Sequence, residues 1–283
     1  MPVASLPEVM DRAFARRYGV AAFNTVDDIT MQGVIRAAEQ SRSPLIVQIS
    51  VKTVKFWGAE VVQHMFTDMA TRAKVPVALH LDHCPDPEVA KSCLKVGWNS
   101  VLFDGSGMSF EENQKLTREM VAFANTLGAA VEGEVVAVAG VEDGMGSDEE
   151  GRLAPIEKEL EFIADTGIYC YAPPIGTAHG FYKAEPKIRY DRMEYLVSKT
   201  NMPMVLHGGT GLTEEVYRKL ISLGAAKVNI STALKKGYAD GFRTYLEEHP
   251  TEYDPLKLIA AVRNEVIELA RPLFAVFGSS GQA

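Results

Sequence analysis

The chain is expected to fold as an α/β protein closed into a TIM (β/α)8 barrel with an additional C-terminal helix. Three observations carry that expectation. Strand-like and helix-like segments alternate along the whole sequence. The strand-like runs are continuously apolar, as strands covered on both faces are. Eight β-then-α units occupy about 250 residues, the usual size of such a barrel. At 283 residues and 47% hydrophobic, the chain can bury the core of one large catalytic domain spanning residues 1–283.

The elements follow in order. Met1 to Arg17 reads as an amphipathic helix with Leu6, Val9, Met10, Ala13 and Phe14 on one face. The eight strands read as Val20–Thr25, Leu45–Ser50, Val77–Leu81, Ser100–Asp104, Ala130–Val136, Ile168–Ala172, Met204–His207 and Lys227–Ile230. Asp86-Pro87 supplies the N-cap and first residue of a helix that Gly97 ends. Ser109 and Glu112 form a capping box ahead of the stripe Leu116, Met120, Phe123 and Leu127, which Gly128 stops. Pro155 opens a helix with Ile156, Leu160 and Ile163 inward, closed at Gly167. Thr213 heads another, with Val216, Leu220 and Leu223, ending at Gly224. Asp254-Pro255 begins the extra helix, with Leu256, Ile259, Ala260, Val262, Val266 and Leu269, which would cover the barrel or meet another subunit. Residues 139–154, glycine-rich and acidic, read as a long, mobile polar loop after strand five; a loop of that length is usually a functional lid or disordered.

Composition excludes several classes of partner. A formal net charge of −8 without a basic cluster argues against nucleic acid and an anionic membrane. With no long apolar span and no signal peptide, the expected location is the cytoplasm. Cys84, Cys93 and Cys170 form no paired framework and suit a reducing compartment. Cys84 follows His83 and could reach a metal, but it reads as a packed thiol.

In such a barrel the C-terminal strand ends share the face that carries active sites. Those ends offer Asn24, Ser50, Asp82 with His83, Asp104, Glu132 with Glu134, His179 with Gly180, His207 to Gly211, and Asn229 to Thr232. Polar residues at every end of eight apolar runs are hard to explain as packing. His83, His179 and His207 each close such a run, and three imidazoles with a free coordination position describe a catalytic zinc site. Asp82 puts a proton carrier beside a metal ligand. His80, inside its strand, reads as a hydrogen-bonded structural histidine, and His64 and His249 as surface or packing residues. Asp104 either ligates a second metal position or hydrogen-bonds a loop. Glu132 and Glu134 share one strand face, and two buried carboxylates repel unless a proton or cation lies between them, which favours a metal or monovalent-cation role. Gly208-Gly209-Thr210-Gly211 lets backbone N–H groups approach an anion. Asn229-Ile230-Ser231-Thr232 adds donors before the next helix, where barrels often hold phosphate.

These residues resemble the class II, zinc-dependent ketose-bisphosphate aldolase family, which includes fructose- and tagatose-1,6-bisphosphate aldolases. The likeness runs from Phe23-Asn24 to the tail 277–283. It is carried by His80-Leu81-Asp82-His83, Phe103-Asp104-Gly105-Ser106, Glu132-Gly133-Glu134, Val141-Glu142-Asp143-Gly144, Gly176-Thr177-Ala178-His179-Gly180, His207-Gly208-Gly209-Thr210-Gly211 and Asn229-Ile230-Ser231-Thr232.

The resemblance implies metal-dependent, reversible aldol cleavage of a phosphorylated ketose, either a 1,6-bisphosphate or a 1-phosphate with another C6 group, to dihydroxyacetone phosphate and an aldehyde. It implies that His83, His179 and His207 hold Zn2+, with Asp104 and Glu134 as an alternative position and a monovalent cation (Na+ or K+) near the phosphate. Asp82 is then the proton carrier at the C4 oxygen, and Glu142 the candidate acid/base at C3. Asn24 and Ser50 bind the substrate, and Gly180, Gly208, Gly209, Thr210, Asn229, Ile230, Ser231 and Thr232 bind its phosphate half. A homodimer or homotetramer is implied as well. Arg263, Arg271 and Lys257 could bind the distal group across a subunit interface, although a solvated helix face is the favoured reading. Pro173-Pro174, Val135-Val136-Ala137 and Ser50-Val51-Lys52 depart from the family pattern and bear on which sugar is used. Two alternatives remain open: a zinc hydrolase on the same barrel, and a non-catalytic sugar-phosphate-binding subunit. The intact triad and Asp82 speak against the second, the phosphate cradle and separate loop glutamate against the first.

Overall fold

The computed structural model describes residues 2–142, 145–147 and 153–283. The chain begins with α1 (Leu6–Arg16), β1 (Val20–Asn24), α2 (Asp28–Ser41), β2 (Leu45–Ser50), α3 (Val51–Trp57), α4 (Ala59–Arg72), β3 (Val77–Cys84), α5 (Pro87–Lys95), β4 (Ser100–Phe103), α6 (Phe110–Asn125) and β5 (Ala130–Gly133). It continues with a hairpin, β6 (Gly140–Glu142) and β7 (Met145–Ser147), then α7 (Ile156–Thr166), β8 (Cys170–Tyr171), α8 (Tyr190–Thr200), β9 (Met204–Leu206), α9 (Glu214–Leu223), β10 (Ala225–Ile230), α10 (Thr232–Glu248) and α11 (Pro255–Val276).

Eight parallel strands close into the expected barrel, in the order β1-β10-β9-β8-β5-β4-β3-β2. Each strand divides its side chains by parity. In β3, Val77, Leu79 and Leu81 face the surrounding helices, while Ala78 faces the barrel interior. At the N-terminal mouth, Leu6, Val9, Met10 and Ala13 of α1 pack on small interior residues such as Ala22, Ala78, Ala130 and Cys170. Burying each larger side chain is worth ~1.5–3 kcal/mol, so α1 is held as a plug. The barrel is thus apolar at its floor, and its polar interior residues are gathered in the middle and at the C-terminal mouth.

α11 lies on α2, where Gly33 permits the approach: a Cβ there would stand 2.4 Å from Cγ1 of Val266. Phe274 of α11 meets Phe23 of β1 edge to face at 5.8 Å between centroids. Among the described residues, no helix is long and apolar enough to cross a membrane.

Several boundaries differ from the sequence expectation. β3 runs on to Cys84 instead of stopping at Leu81, because the chain bulges at His83 without leaving its neighbour β4. β5 stops at Gly133, and β8 is only two residues long before Pro173 and Pro174, which have no N–H for a ladder. The stretch expected as a long polar loop contains the β6–β7 hairpin. Leu127 lies beyond the end of α6 and is exposed, so the stripe ends with Phe123. Ser109 accepts from the Glu112 N–H, but the return bond from the Glu112 side chain that would complete the expected capping box is not formed.

Candidate active site

Alternation along β3 would send Asp82 inward and His83 outward. The register shift between Leu81 and Cys84 and a left-handed backbone at His83 (φ 42°) turn the imidazole back to the mouth. A non-glycine residue in that region is strained, and bulges re-aim side chains next to active sites. His179 follows β8 on a segment pinned by its own N–H, which donates to Ala139 O at 2.7 Å. His207 directly follows β9.

These three imidazoles converge. Ring centroids lie 5.1 Å apart for His83 and His179, 4.8 Å for His83 and His207, and 5.9 Å for His179 and His207, with each pair near perpendicular. One donor atom from each lies within 4.8 Å of the others, and His83, Asp104 and Glu134 form a second such group. The hydrogen bonds decide which nitrogens face inward. Nδ1 of His83 meets Asp104 Oδ2 at 2.8 Å, and Nε2 of His207 meets Glu132 Oε1 at 2.8 Å. That leaves Nε2 of His83 and Nδ1 of His207 buried without a partner, together with Oδ1 of Asp82 and both oxygens of Glu134. Buried polar atoms are nearly always satisfied. Imidazole lone pairs and carboxylate oxygens left bare around one point are the donor set a divalent cation takes, so these residues fit a bound Zn2+.

The electrostatics agree. Burial opposes charge on His83, but the carboxylates of Asp82, Asp104 and Glu134 outweigh it and hold the imidazole well above its usual pKa. Burial, reinforced by Asp104, pushes Glu134 well above the usual carboxylate range. Asp104 is held below that range: burial opposes its charge, but bonds from His83 and Ser106 outweigh it. Asp104 therefore does hydrogen-bond a loop, the Ser106 N–H at 3.1 Å, while its second oxygen orients His83. His83 and His179 border a cleft of about 430 Å³ with Asp104, Glu134, Ser106 and Met108.

Beside the triad, His179, Gly180, Gly208, Gly209, Thr210, Asn229, Ser231 and Thr232 line one small recess. Oδ1 of Asn229 and the Ser231 hydroxyl are buried there without partners, at the N-terminus of α10. The Ser231 hydroxyl is a free donor, and with the helix N-terminus it suits an anion. Gly208 is in the left-handed region (φ 66°), and a Cβ on it would stand 2.5 Å from Ala178 O. Tyr182 fixes that contact: its hydroxyl accepts from the Ala178 N–H at 3.0 Å and donates to Gly208 O at 2.7 Å.

Residues 4–282 match the family described as class II fructose-bisphosphate aldolase. The chain belongs to the class II aldolase family. A sulfofructosephosphate aldolase from Alkalicoccus urumqiensis is 36% identical over 97% of this chain and 96% of its own. A fructose-bisphosphate aldolase from Geobacillus stearothermophilus is 36% identical over 100% and 99%. Among solved structures, the YdjI aldolase of Escherichia coli K12 superposes with a TM-score of 0.85 at 31% identity, covering 99% of each chain. As a class II aldolase this chain is a lyase of a family that is generally zinc-dependent, and the fit of the donor set above accords with that.

Other predicted residues fall differently. Asn24 faces Asp82, donating from Nδ2 to Oδ2 at 2.7 Å, and itself accepts from Gln48 Nε2 at 2.8 Å. The Ser50 hydroxyl is spent capping α3, accepting from the Thr53 N–H. Ile230 points outward into the core and does not line the recess. The β6 backbone carries Glu142 close to His179, since Ala139 pairs with Ala178, but the Glu142 side chain lies outside the described residues. Arg263 sits on the α2–α11 seam, where Nη1 donates to Gln32 at 3.2 Å, and borders neither cavity. Arg271 and Lys257 pair with Glu268 and Glu252 on exposed faces. His80 is structural, with Nδ1 2.9 Å from the Ser100 hydroxyl. Cys84 is a packed thiol that burial pushes up to about 11. Sequence reasoning missed Gln48, Tyr182 and Lys227. Lys227 ends the search for a cation on Glu132: its ammonium lies 2.9 Å from Oε2.

Proposed function

We propose that the chain catalyses the metal-dependent, reversible aldol cleavage of a phosphorylated ketose to dihydroxyacetone phosphate and an aldehyde. The observation that carries this reading is the convergence of bare His83 Nε2, His207 Nδ1 and Asp82 Oδ1 beside an anion recess. His83, His179 and His207 would hold Zn2+, with Asp104 and Glu134 lending an alternative position. When bound, the metal supplies a Lewis acid for the ketose carbonyl.

The chain's own residues supply the rest. The phosphate rests on Gly180, Gly208 to Thr210 and Asn229 to Thr232, where backbone N–H groups and hydroxyls orient the sugar. Asp82, anchored through Oδ2 by Asn24, presents Oδ1 to remove the C4 hydroxyl proton as the C3–C4 bond breaks. Glu142 protonates C3. A monovalent cation (Na+ or K+) near the phosphate, Arg263 at the distal group of a neighbouring subunit's substrate, and a homodimer or homotetramer in the cytoplasm complete the reading.

The relatives are named for different sugars, sulfofructosephosphate and fructose bisphosphate. The test is therefore a panel of those two, tagatose bisphosphate and ketose 1-phosphates with varied C6 groups. Release of dihydroxyacetone phosphate is followed with zinc-loaded and chelator-treated protein. Chelator-sensitive release from one sugar is expected, and release that survives complete metal removal would refute the reading.

A further inference from the structure

Below the three imidazoles the barrel interior holds a charged cluster that no step of the aldol reaction uses. Glu132, Lys227 and His80 are each fully buried there. Oε1 of Glu132 meets His207 Nε2 at 2.8 Å, and Oε2 meets Lys227 Nζ at 2.9 Å. Residues 132 and 227 are 95 apart in sequence and lie on β5 and β10, which are not neighbours in the barrel, so the pair spans its lumen.

The proton inventory of this cluster can be worked out. The Ser100 hydroxyl donates its one hydrogen to Leu79 O at 3.0 Å, so the Nδ1 of His80 2.9 Å away must be the donor to Ser100 Oγ. A neutral His80 then turns a bare Nε2 toward Glu132 Oε2, 3.4 Å away, and gives it no hydrogen bond. Among the described residues, Lys227 is therefore the formal cation that offsets Glu132. Besides Lys227, the only donor that reaches Oε2 among the described residues is the weak thiol of Cys170, 3.9 Å away, so Lys227 is the group that fixes the carboxylate plane holding Oε1 against His207. Glu132 takes a hydrogen from His207 Nε2, which leaves the Nδ1 lone pair for the triad.

We infer that the buried Lys227–Glu132 ion pair is a positioning device for the metal centre, holding His207 in the tautomer and orientation that present Nδ1 to the ion. Neither residue touches substrate or metal. Lys227 acts through Glu132, and Glu132 through His207. The inference rests on the proposed role of His207 as a metal ligand. Hydrogen-bond partners of ligating histidines commonly contribute about 10–100-fold in metal affinity.

The experiment measures the zinc dissociation constant by competition with a chromophoric chelator, alongside the visible spectrum of the cobalt(II)-substituted protein. Wild type, Lys227→Met, Glu132→Gln and the double variant are compared. The expected result is roughly a 10–100-fold weaker zinc affinity in Lys227→Met, with an altered cobalt spectrum. The double variant removes both buried charges together and keeps the side-chain lengths, so it folds even where a lone unpaired charge would not. It too should bind zinc weakly, since the amide at 132 has lost its fixed plane. Wild-type affinity and spectrum in either folded lysine variant would overturn the inference, leaving the pair a packing feature that moves only the melting temperature. Nitrogen-15 NMR of wild-type His207 tests the same point without any variant: an Nε2–H tautomer is expected, and Nδ1–H would overturn it. Failure of the parent reading looks different, since wild-type protein would then bind zinc no more tightly than His207→Ala.

Discussion

Asp82 is aimed by a relay of amides. Gln48 donates to Asn24, Asn24 donates to Asp82 Oδ2, and all three side chains are at most 2% exposed. The relay leaves Oδ1 as the oxygen of Asp82 without a partner, beside the triad. A proton carrier held this way does its work only if the oxygen stays in place. Asp82→Ala should lower kcat by about 10²–10⁴-fold, the usual worth of a general acid–base group, while zinc content by elemental analysis stays at the wild-type level. Near-normal turnover would remove Asp82 from the chemistry. Asn24→Ala keeps the carboxylate and takes away its anchor. A hydrogen bond to a charged group is worth about 1.5–3 kcal/mol, so kcat should fall roughly tenfold to a hundredfold with zinc affinity unchanged. A rise in KM alone would instead return Asn24 to the substrate-binding role expected from sequence. His83 shows the same economy at the backbone, accepting φ 42° so that neighbouring residues 82 and 83 both reach the mouth.

The turn that follows β9 sets the anion recess, and it depends on Gly208. Any side chain at φ 66° costs about 1–2 kcal/mol, and the Cβ would also press on Ala178 O at 2.5 Å, a backbone atom that cannot swing aside. Gly208→Ala should therefore lower the melting temperature and raise KM for the phosphorylated sugar more than it lowers kcat; an unchanged KM would detach the turn from phosphate binding. Elements such as this were legible in the sequence because their signals are local. Strands covered on both faces appear as unbroken apolar runs, and Asp86, Thr213 and Asp254 cap their helices as their positions suggested. The bulge in β3 was not legible, since His80-Leu81-Asp82-His83 alternates like any strand until its neighbour β4 imposes the register shift. Lys227 was read simply as the first residue of a strand, because its partner Glu132 lies 95 residues away. Ser50 had two competing uses at one strand end, and the choice was made by the fold of α3, which needed its cap.

At the scale of the whole molecule, closing the barrel brings carboxylates from β3 and from just beyond β4 and β5 around one imidazole, and that crowding ties metal, protons and stability together. His83 is raised well above its usual pKa by Asp82, Asp104 and Glu134 against the opposing effect of burial, and Glu134 is raised by burial and by Asp104. A group raised in the folded state contributes stability that is fully present below its unfolded pKa and is lost as pH rises through the folded value. The metal-free protein should thus become less stable as pH climbs above the ordinary histidine range. Zinc binding has the opposite slope, because the ion must displace the His83 proton. Each proton released makes the apparent affinity rise roughly tenfold per pH unit until His83 is deprotonated. Since bound ligand at a hundred times its dissociation constant adds about 2.7 kcal/mol, the rising affinity feeds directly into the melting temperature. Melting curves of zinc-loaded and chelator-treated protein from pH 6 to 9, at fixed free zinc, should show a gap that widens with pH. A constant gap would mean that the imidazole beside Asp82 gives up no proton to the metal.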